Sequence, residues 1–345
     1  MTKGRGNGGK TLADVAAASG LSASAVSLAL SGKGGVSEAT RARIVAIADE
    51  LGYRKAAPSS KRARTARTVG LVVRSIQGDT PQDNVFYGPV MVGIEESCRV
   101  HHLRLMLGTM VMDDQYHPVE FPPIVTDRSC DGLIVVGPVI SAANEAVLRA
   151  SHPTVLVDAY AESDAFDSIV IDNLRGAQTA VEHLISLGHR GIAILGTDPH
   201  AFPGIVDRRR GYEKAMAAAG LAGHYIDVAY RHAEVAGAAL AYLGAHPEVT
   251  AVFCAYDTVA MILMRAASEN GISIPEQLSV VGFDDIDLAG QLSPPLTTMA
   301  VDKVGMGRLA VTLLAHRMEF STASVTETLF HTSLVRRESS GPAPR

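Results

Sequence analysis

Apolar residues recur at two different periods along this 345-residue chain, and the period changes near residue 67. In the first stretch they return every third or fourth position in short runs. Thr11 precedes Leu12, Val15 and Ala16, with Asp14 in the first turn, which predicts a short helix capped by Thr11. Gly20 ends that helix, because glycine enters the left-handed conformation at little cost, and Leu21 fills the core beneath the turn. Ser22 caps a second helix, Ala23 to Leu30. Its Val26, Ala29 and Leu30 point inward, leaving Ser24, Ser27 and Leu28 outward. After the loop SGKGG, Ser37 and Glu38 open a third helix to Leu51, with Ile44, Val45, Ile47, Ala48 and Leu51 on its buried side. A short-residue outward face at the start of the second helix is what a major-groove reader needs, so these helices predict a helix-turn-helix head.

From Thr68 buried strands alternate with amphipathic helices. TVGLVV, a helix around Gly88 to His102, LRLMLGT, a helical return, DGLIVVG and PTVLVDA make one series. Helix Gly176 to Gly188, strand GIAILG, helix Asp207 to Gly220, strand TAVFCA, helix Thr258 to Asn270 and strand LSVVGFD make a second. Unbroken Val/Ile/Leu runs imply parallel strands covered on both faces, so the body reads as an α/β fold of two similar lobes.

Charge divides the chain at the same place. The net charge of −5 conceals 12 Lys+Arg against 4 Asp+Glu in residues 1–67, a balance of +8, and 19 against 32 in the remainder, a balance of −13. A basic head displaces counterions from DNA phosphates, while an acidic body resists sticking to nucleic acid. On charge alone a solvated tail fits as well. The opening MTKGRGNGGK lacks an apolar secretory core, and no apolar run reaches the ~18 residues a membrane span needs. Cys98, Cys130 and Cys254 are odd in number and lack CxxC spacing, so they read as buried, reduced core residues. The expected compartment is the cytoplasm, without membrane contact.

The wording TLADVAAASGLSASAVSLALSGKGGVSEATRARIVAIADELGY resembles the DNA-binding head of the lactose-repressor/galactose-repressor (LacI/GalR) family. The segments IDNLRGAQTAVEHLISLGHRGIAILG, RRRGYEKAMAAAG and ISIPEQLSVVGFDDIDLAGQLSPPLTTM look like its effector core, which is similar to periplasmic sugar-binding proteins. The resemblance implies a fold with a three-helix helix-turn-helix head plus a two-lobed, periplasmic-binding-protein-like core of parallel sheets flanked by helices. The expected boundaries are a head at 1–57, a linker at 58–67 and a core at 68–345. Within the core, lobe 1 takes about 68–173 and 299–327, and lobe 2 takes 174–298 and 328–345, with crossings near Asn173, Thr298 and Thr328. The implied function is a homodimeric transcription regulator, a repressor by family habit. It would bind pseudo-palindromic operator DNA under control of a small-molecule effector, a sugar or sugar derivative. Repression and activation both suit such a sequence, because either depends on where the operator lies.

Where positions match the family, Thr11, Ser22, Ser37 and Thr40 are expected on phosphates, and Ala23, Ser24 and Ser27 on bases. Leu28 replaces the usual arginine of the recognition helix, so it packs on a thymine methyl instead of forking onto guanine. The linker RKAAPSSKRARTART lacks the family's leucine wedge. Its Lys61, Arg62, Arg64 and Arg67 either enter a narrow minor groove or form a solvated tether, and Pro58 either starts a short helix or disfavours one at Ala57.

Ligand in such a core sits at the strand C-termini. The effector candidates are Asn84 and Phe86 after the first strand, Asp158 after PTVLV, Arg208, Asp257 after TAVFCA, and Phe283 and Asp284 after SVVG. Carboxylates and a guanidinium bond vicinal hydroxyls, and a phenyl ring covers an apolar sugar face. Each is also an ordinary cap or turn residue when taken singly. Tyr256 stands where the family has asparagine, so the ligand need not be inherited. Gly4, Gly6 and Gly9 spell a dinucleotide fingerprint, but no strand precedes them. His183 and His189 flank one helix and read as structural rather than as metal ligands. No nucleophile elbow or Walker loop appears, so neither catalysis nor a cofactor is expected.

Overall fold

The computed structural model describes residues 12–30, 37–51, 67–75, 85–113, 115–127, 129–198, 201–228 and 232–344. The chain divides into two compact units, Met1–Thr65 and Ala66–Arg345. In the first, α1 (Leu12–Ser19), α2 (Ala23–Leu30) and α3 (Glu38–Glu50) enclose Val15, Val26, Ala29, Ile44 and Ala48. Gly20 takes φ +67° after α1, as the turn requires. Ser22 Oγ accepts from the Ala25 amide at 3.3 Å and so caps α2. Ser37 caps α3 in the same way, accepting from the Thr40 amide at 3.3 Å, so that helix starts one residue later than its expected Ser37. Val45 is 42% exposed, not buried. It lies about 100° round the helix from Ile44, off the stripe that Ile44, Ile47, Ala48 and Leu51 present to the core.

The second unit starts with β1 (Thr68–Ser75), α4 (Tyr87–Val100), β2 (Arg104–Val111), α5 (Pro123–Thr126), β3 (Gly132–Val136), β4 (Val139–Ile140), α6 (Ala142–Ser151), β5 (Thr154–Val157), β6 (Tyr160–Ala161) and β7 (Asp167–Ile171). It continues with α7 (Asn173–Ser186), β8 (Gly191–Leu195), α8 (Pro203–Ala218), β9 (His224–Ile226), α9 (His232–Ala245), β10 (Val249–Cys254), α10 (Asp257–Glu269) and β11 (Ser279–Val281). β12 (Thr298–Ala300), α11 (Lys303–Glu319), β13 (Glu327–Phe330) and β14 (Ser333–Val335) finish it.

Among the described residues one parallel sheet has the order β13-β7-β5-β3-β1-β2, and a second has the order β11-β10-β8-β9. Antiparallel β12 and β14 bridge the region between them. α4 and α11 approach each other closely because glycines face the contact from both helices. A Cβ on Gly93 would strike the Val304 carbonyl, and one on Gly307 would strike the Val90 carbonyl. One core runs from Val69, Ile134 and Val155 through Met299 to Phe253 and Phe283, so it passes through the crossing region without a break.

Several elements differ from expectation. α7 begins at Asn173 because the Asp172 carboxylate accepts from the Arg175 amide at 3.2 Å, three residues ahead of the expected Gly176. α8 begins at Pro203, whose fixed φ suits the first turn, four residues ahead of Asp207. β2 is an edge strand with β1 as its only neighbour among the described residues, so its Met106, Leu107 and Val111 are exposed and not covered on both faces. The chain leaves the first sheet after β7 at Ile171, and after β12 it continues into α11 and then returns to that sheet at β13. Glu327–Phe330, which includes Thr328, pairs with β7.

Candidate functional site

The first lobe brings its strand ends together around one arginine. Arg74, near the end of β1, donates to the Gly137 carbonyl beyond β3 at 3.4 Å. Gly137 sits at φ +90°, where a Cβ would strike the Arg74 chain and the Tyr87 hydroxyl. The Arg74 guanidinium lies 5.1 Å from the Tyr87 ring centroid, 5.5 Å from Tyr116 and 4.9 Å from Phe202. Asp158, at φ +43° after β5, accepts from the Tyr87 hydroxyl at 2.7 Å. Burial raises its carboxyl to about 6, against the opposing pull of Tyr87, Arg74 and Arg208. Burial likewise drives the Tyr87 phenol well above its usual range.

The second lobe supplies a second arginine. Arg208 on α8 is buried and donates through Nε to Asn173 Oδ1 at 2.8 Å, through Nη1 to the Ala255 carbonyl at 2.6 Å, and through Nη2 to Asp284 Oδ1 at 3.0 Å. Its guanidinium stands 3.8 Å from the Phe283 ring centroid. Burial raises the Asp284 carboxyl, opposed by Arg208 and Lys303.

Further side chains meet across the lobes. Phe202, just before α8, meets Tyr116 and Tyr160 edge-on at 5.4 and 5.2 Å. Lys303, the first residue of α11, donates Nζ to the Asp284 carbonyl and to the Asp285 carbonyl at 3.1 Å, with Phe86 5.9 Å away.

The structure therefore brings Phe86, Asp158, Arg208 and Asp284 to the seam between the lobes, whereas Phe283, expected to cover a sugar face, is fully buried in the core behind Arg208. Asp257 has a different setting. It is fully buried, Oδ1 accepting from Thr298 Oγ1 at 2.6 Å and Oδ2 from the Ile286 amide at 2.9 Å, so it braces β12 and the loop after β11. Burial and the nearby Asp284 raise its carboxyl to about 7. Tyr256 packs in the second-lobe core. Asn84 lies outside the described residues. Sequence reasoning missed Arg74, Tyr87, Tyr116, Asn173, Phe202 and Lys303. Of these, Asn173 and Arg74 carried a signal, being polar residues at strand ends.

On the head, Ser22, Ser37 and Thr40 are described, and the Ser37 and Thr40 hydroxyls lie 2.7 Å apart at the exposed start of α3. Ala23, Ser24, Ser27 and Leu28 fall within α2, but their side chains lie outside the described part, as do Thr11, Arg62, Arg64 and the Gly4, Gly6 and Gly9 motif.

His189 is buried between Thr250 Oγ1, Ser279 Oγ and the Gly341 carbonyl at 2.8, 3.0 and 3.0 Å, and His183 Nε2 pairs with Ser340 Oγ at 3.0 Å. Cys98, Cys130 and Cys254 are buried and free. Among the described residues no helix is long and apolar enough to cross a membrane.

Residues 11–55 match the model of bacterial regulatory proteins of the lacI family, and residues 181–340 match a periplasmic binding protein-like domain. The chain is 30% identical to the ribose operon repressor of Haemophilus influenzae, over 95% of this chain and 98% of that one. It is 31% identical to the HTH-type transcriptional repressor PurR of Photobacterium profundum, over 90% and 92%. Among solved structures, a transcriptional regulator CelR–cellobiose complex superposes with a TM-score of 0.67 at 27% identity, covering 96% of this chain and 99% of that one.

Proposed function

The chain belongs to the lacI family of bacterial regulatory proteins, and from that premise we propose that it is a cytoplasmic, homodimeric repressor whose hold on operator DNA is set by a carbohydrate bound between the lobes. The observation that carries the effector half is the Arg208 fork: a buried guanidinium between Asn173, Asp284 and the Phe283 ring, close enough to Asp158 of the other lobe to act on its charge. Such a group donates to paired hydroxyls through its remaining N–H bonds, while the ring behind it holds its plane. The names of the relatives support a sugar: one is a ribose operon repressor and one was solved with cellobiose.

In this reading Asp158, Arg208 and Asp284 hold hydroxyls, Phe86 covers the sugar ring, Asn84 is a further ligand contact, Phe283 backs the Arg208 guanidinium, and Asp257 sets the loop that carries Asp284. Thr11, Ser22, Ser37 and Thr40 hold phosphates of a pseudo-palindromic operator. Ala23, Ser24, Ser27 and Leu28 meet base edges, and Arg62 and Arg64 enter the minor groove. The protein is a binder and not an enzyme. Ligand that prefers one lobe arrangement shifts the population toward it, and couplings of this kind amount to about 1–3 kcal/mol.

The test is calorimetric titration with pentoses, hexoses and disaccharides, followed by operator titration with and without the sugar that binds. A change in operator affinity of about 5-fold or more is expected. A sugar that binds and leaves operator affinity unchanged defeats the proposal.

A further inference from the structure

We propose that His224, His246 and Glu248 form a binding site for a zinc-class divalent cation on the second lobe, built from residues that take no part in the cleft between the lobes. One donor atom from each lies within 4.8 Å of the others. His224 opens the edge strand β9, while His246 and Glu248 follow α9 and lead into β10, so the cluster joins elements that are far apart in sequence.

The donors suit such an ion in kind, and one pair already stands close enough to share it, so a small side-chain rotation completes the set. His246 Nδ1 and Glu248 Oε1 are 3.0 Å apart, the separation of two donors at ~2.1 Å from one ion at nearly a right angle. Pro247 stands between them and fixes its own φ, which limits the backbone freedom of the turn. With its proton on Nε2, His246 turns Nδ1 to the ion. His224 Nδ1 lies 3.2 Å from the Tyr242 hydroxyl, which leaves Nε2 as the ligand atom and gives the ring the second hydrogen-bond partner that metal-bound histidines usually have. Two imidazoles and one carboxylate favour zinc, cobalt or nickel over magnesium or calcium, which prefer all-oxygen sites.

The rings are also held in place before any ion arrives. Tyr242 stacks on His246 with centroids 4.2 Å apart, and the His224 ring meets His246 at 5.7 Å and 73°. Little side-chain freedom is left to lose on binding. Because His224 and His246 are half-buried and Glu248 is exposed, an ion can enter from solvent and keep a water in its remaining position. Bound there, it would tie edge strand β9 to the turn before β10 and stabilise the second lobe by mass action.

The experiment uses the full chain without an affinity tag. Zinc is titrated in competition with a chromophoric chelator, and cobalt is titrated while visible absorbance is recorded. One equivalent per chain is expected, with a tetrahedral cobalt spectrum. His224→Ala and His246→Ala each weaken zinc by about 10-fold or more, and Glu248→Gln, an exposed change that leaves the fold intact, weakens it as well. His331→Ala, which removes another exposed imidazole, leaves it unchanged. If the wild-type protein takes up no zinc against the chelator, or if Glu248→Gln and both histidine variants bind it as tightly as wild type, the proposal is overturned.

Discussion

Arg208 illustrates how much a single buried fork determines at the seam. Its Nε, Nη1 and Nη2 each have an acceptor, and one of these is the buried carboxylate of Asp284. Removing the guanidinium leaves that carboxylate without its partner, so Arg208→Ala is expected to cost about 3 kcal/mol in urea unfolding and to abolish effector binding. Arg208→Lys keeps the charge but not the planar fork, and titration should show effector affinity weaker by about 10-fold or more. Asp158 carries a different expectation. Its folded-state carboxyl is raised to about 6, above the usual carboxylate value, so the native state holds a proton that the unfolded chain has released. Stability from this group is therefore present at low pH and lost as pH rises through about 6. Asp158→Asn, neutral at all pH, should flatten that dependence and raise stability in mildly alkaline buffer by on the order of 2 kcal/mol, read from melting curves on both sides of the transition. Asp158, Arg208 and Asp284 were legible in the sequence because they follow or face strand ends. Phe202 was not, because within TDPHAFPG it reads as part of a loop and only folding brings it against Tyr116 and Tyr160.

At the level of elements, the apolar periodicity located the long helices and buried strands, and local chemistry moved their ends. Asp172 and Pro203 lengthen α7 and α8 toward their N-termini through a cap and a fixed φ, neither of which an apolar stripe records. The short pieces β4, β6, β9 and β12 depend on tertiary neighbours, and no residue pattern of their own announces them. β2 shows the opposite case. LRLMLGT reads as a buried strand, yet its place at the sheet edge leaves Leu107 54% exposed. An exposed apolar edge strand is a surface for a second copy, in keeping with the proposed homodimer. Leu107→Glu should shift sedimentation from dimer to monomer while leaving circular dichroism and effector binding unchanged. A variant that remains a dimer would place the contact elsewhere.

For the whole molecule, the division of charge into +8 for residues 1–67 and −13 for the rest separates two kinds of binding. Operator affinity should fall steeply with salt, by about 10³-fold between roughly 50 and 200 mM if about six or more phosphates are held. Effector affinity should barely change over that range, because an uncharged sugar displaces no counterions. Parallel titrations at several salt concentrations measure both slopes. The crossings between the lobes have a further consequence, which concerns the order in which the protein is made. The strands of the second lobe's sheet all lie within residues 191–281, so a nascent chain can assemble that sheet while the ribosome is still working. The first lobe's sheet begins earlier but finishes later. Its β7 lacks a partner on one side until β13 emerges, and α4 waits for α11 to close the contact between Gly93 and Gly307. Until Phe330 leaves the exit tunnel, the sheet translated first is the sheet still open.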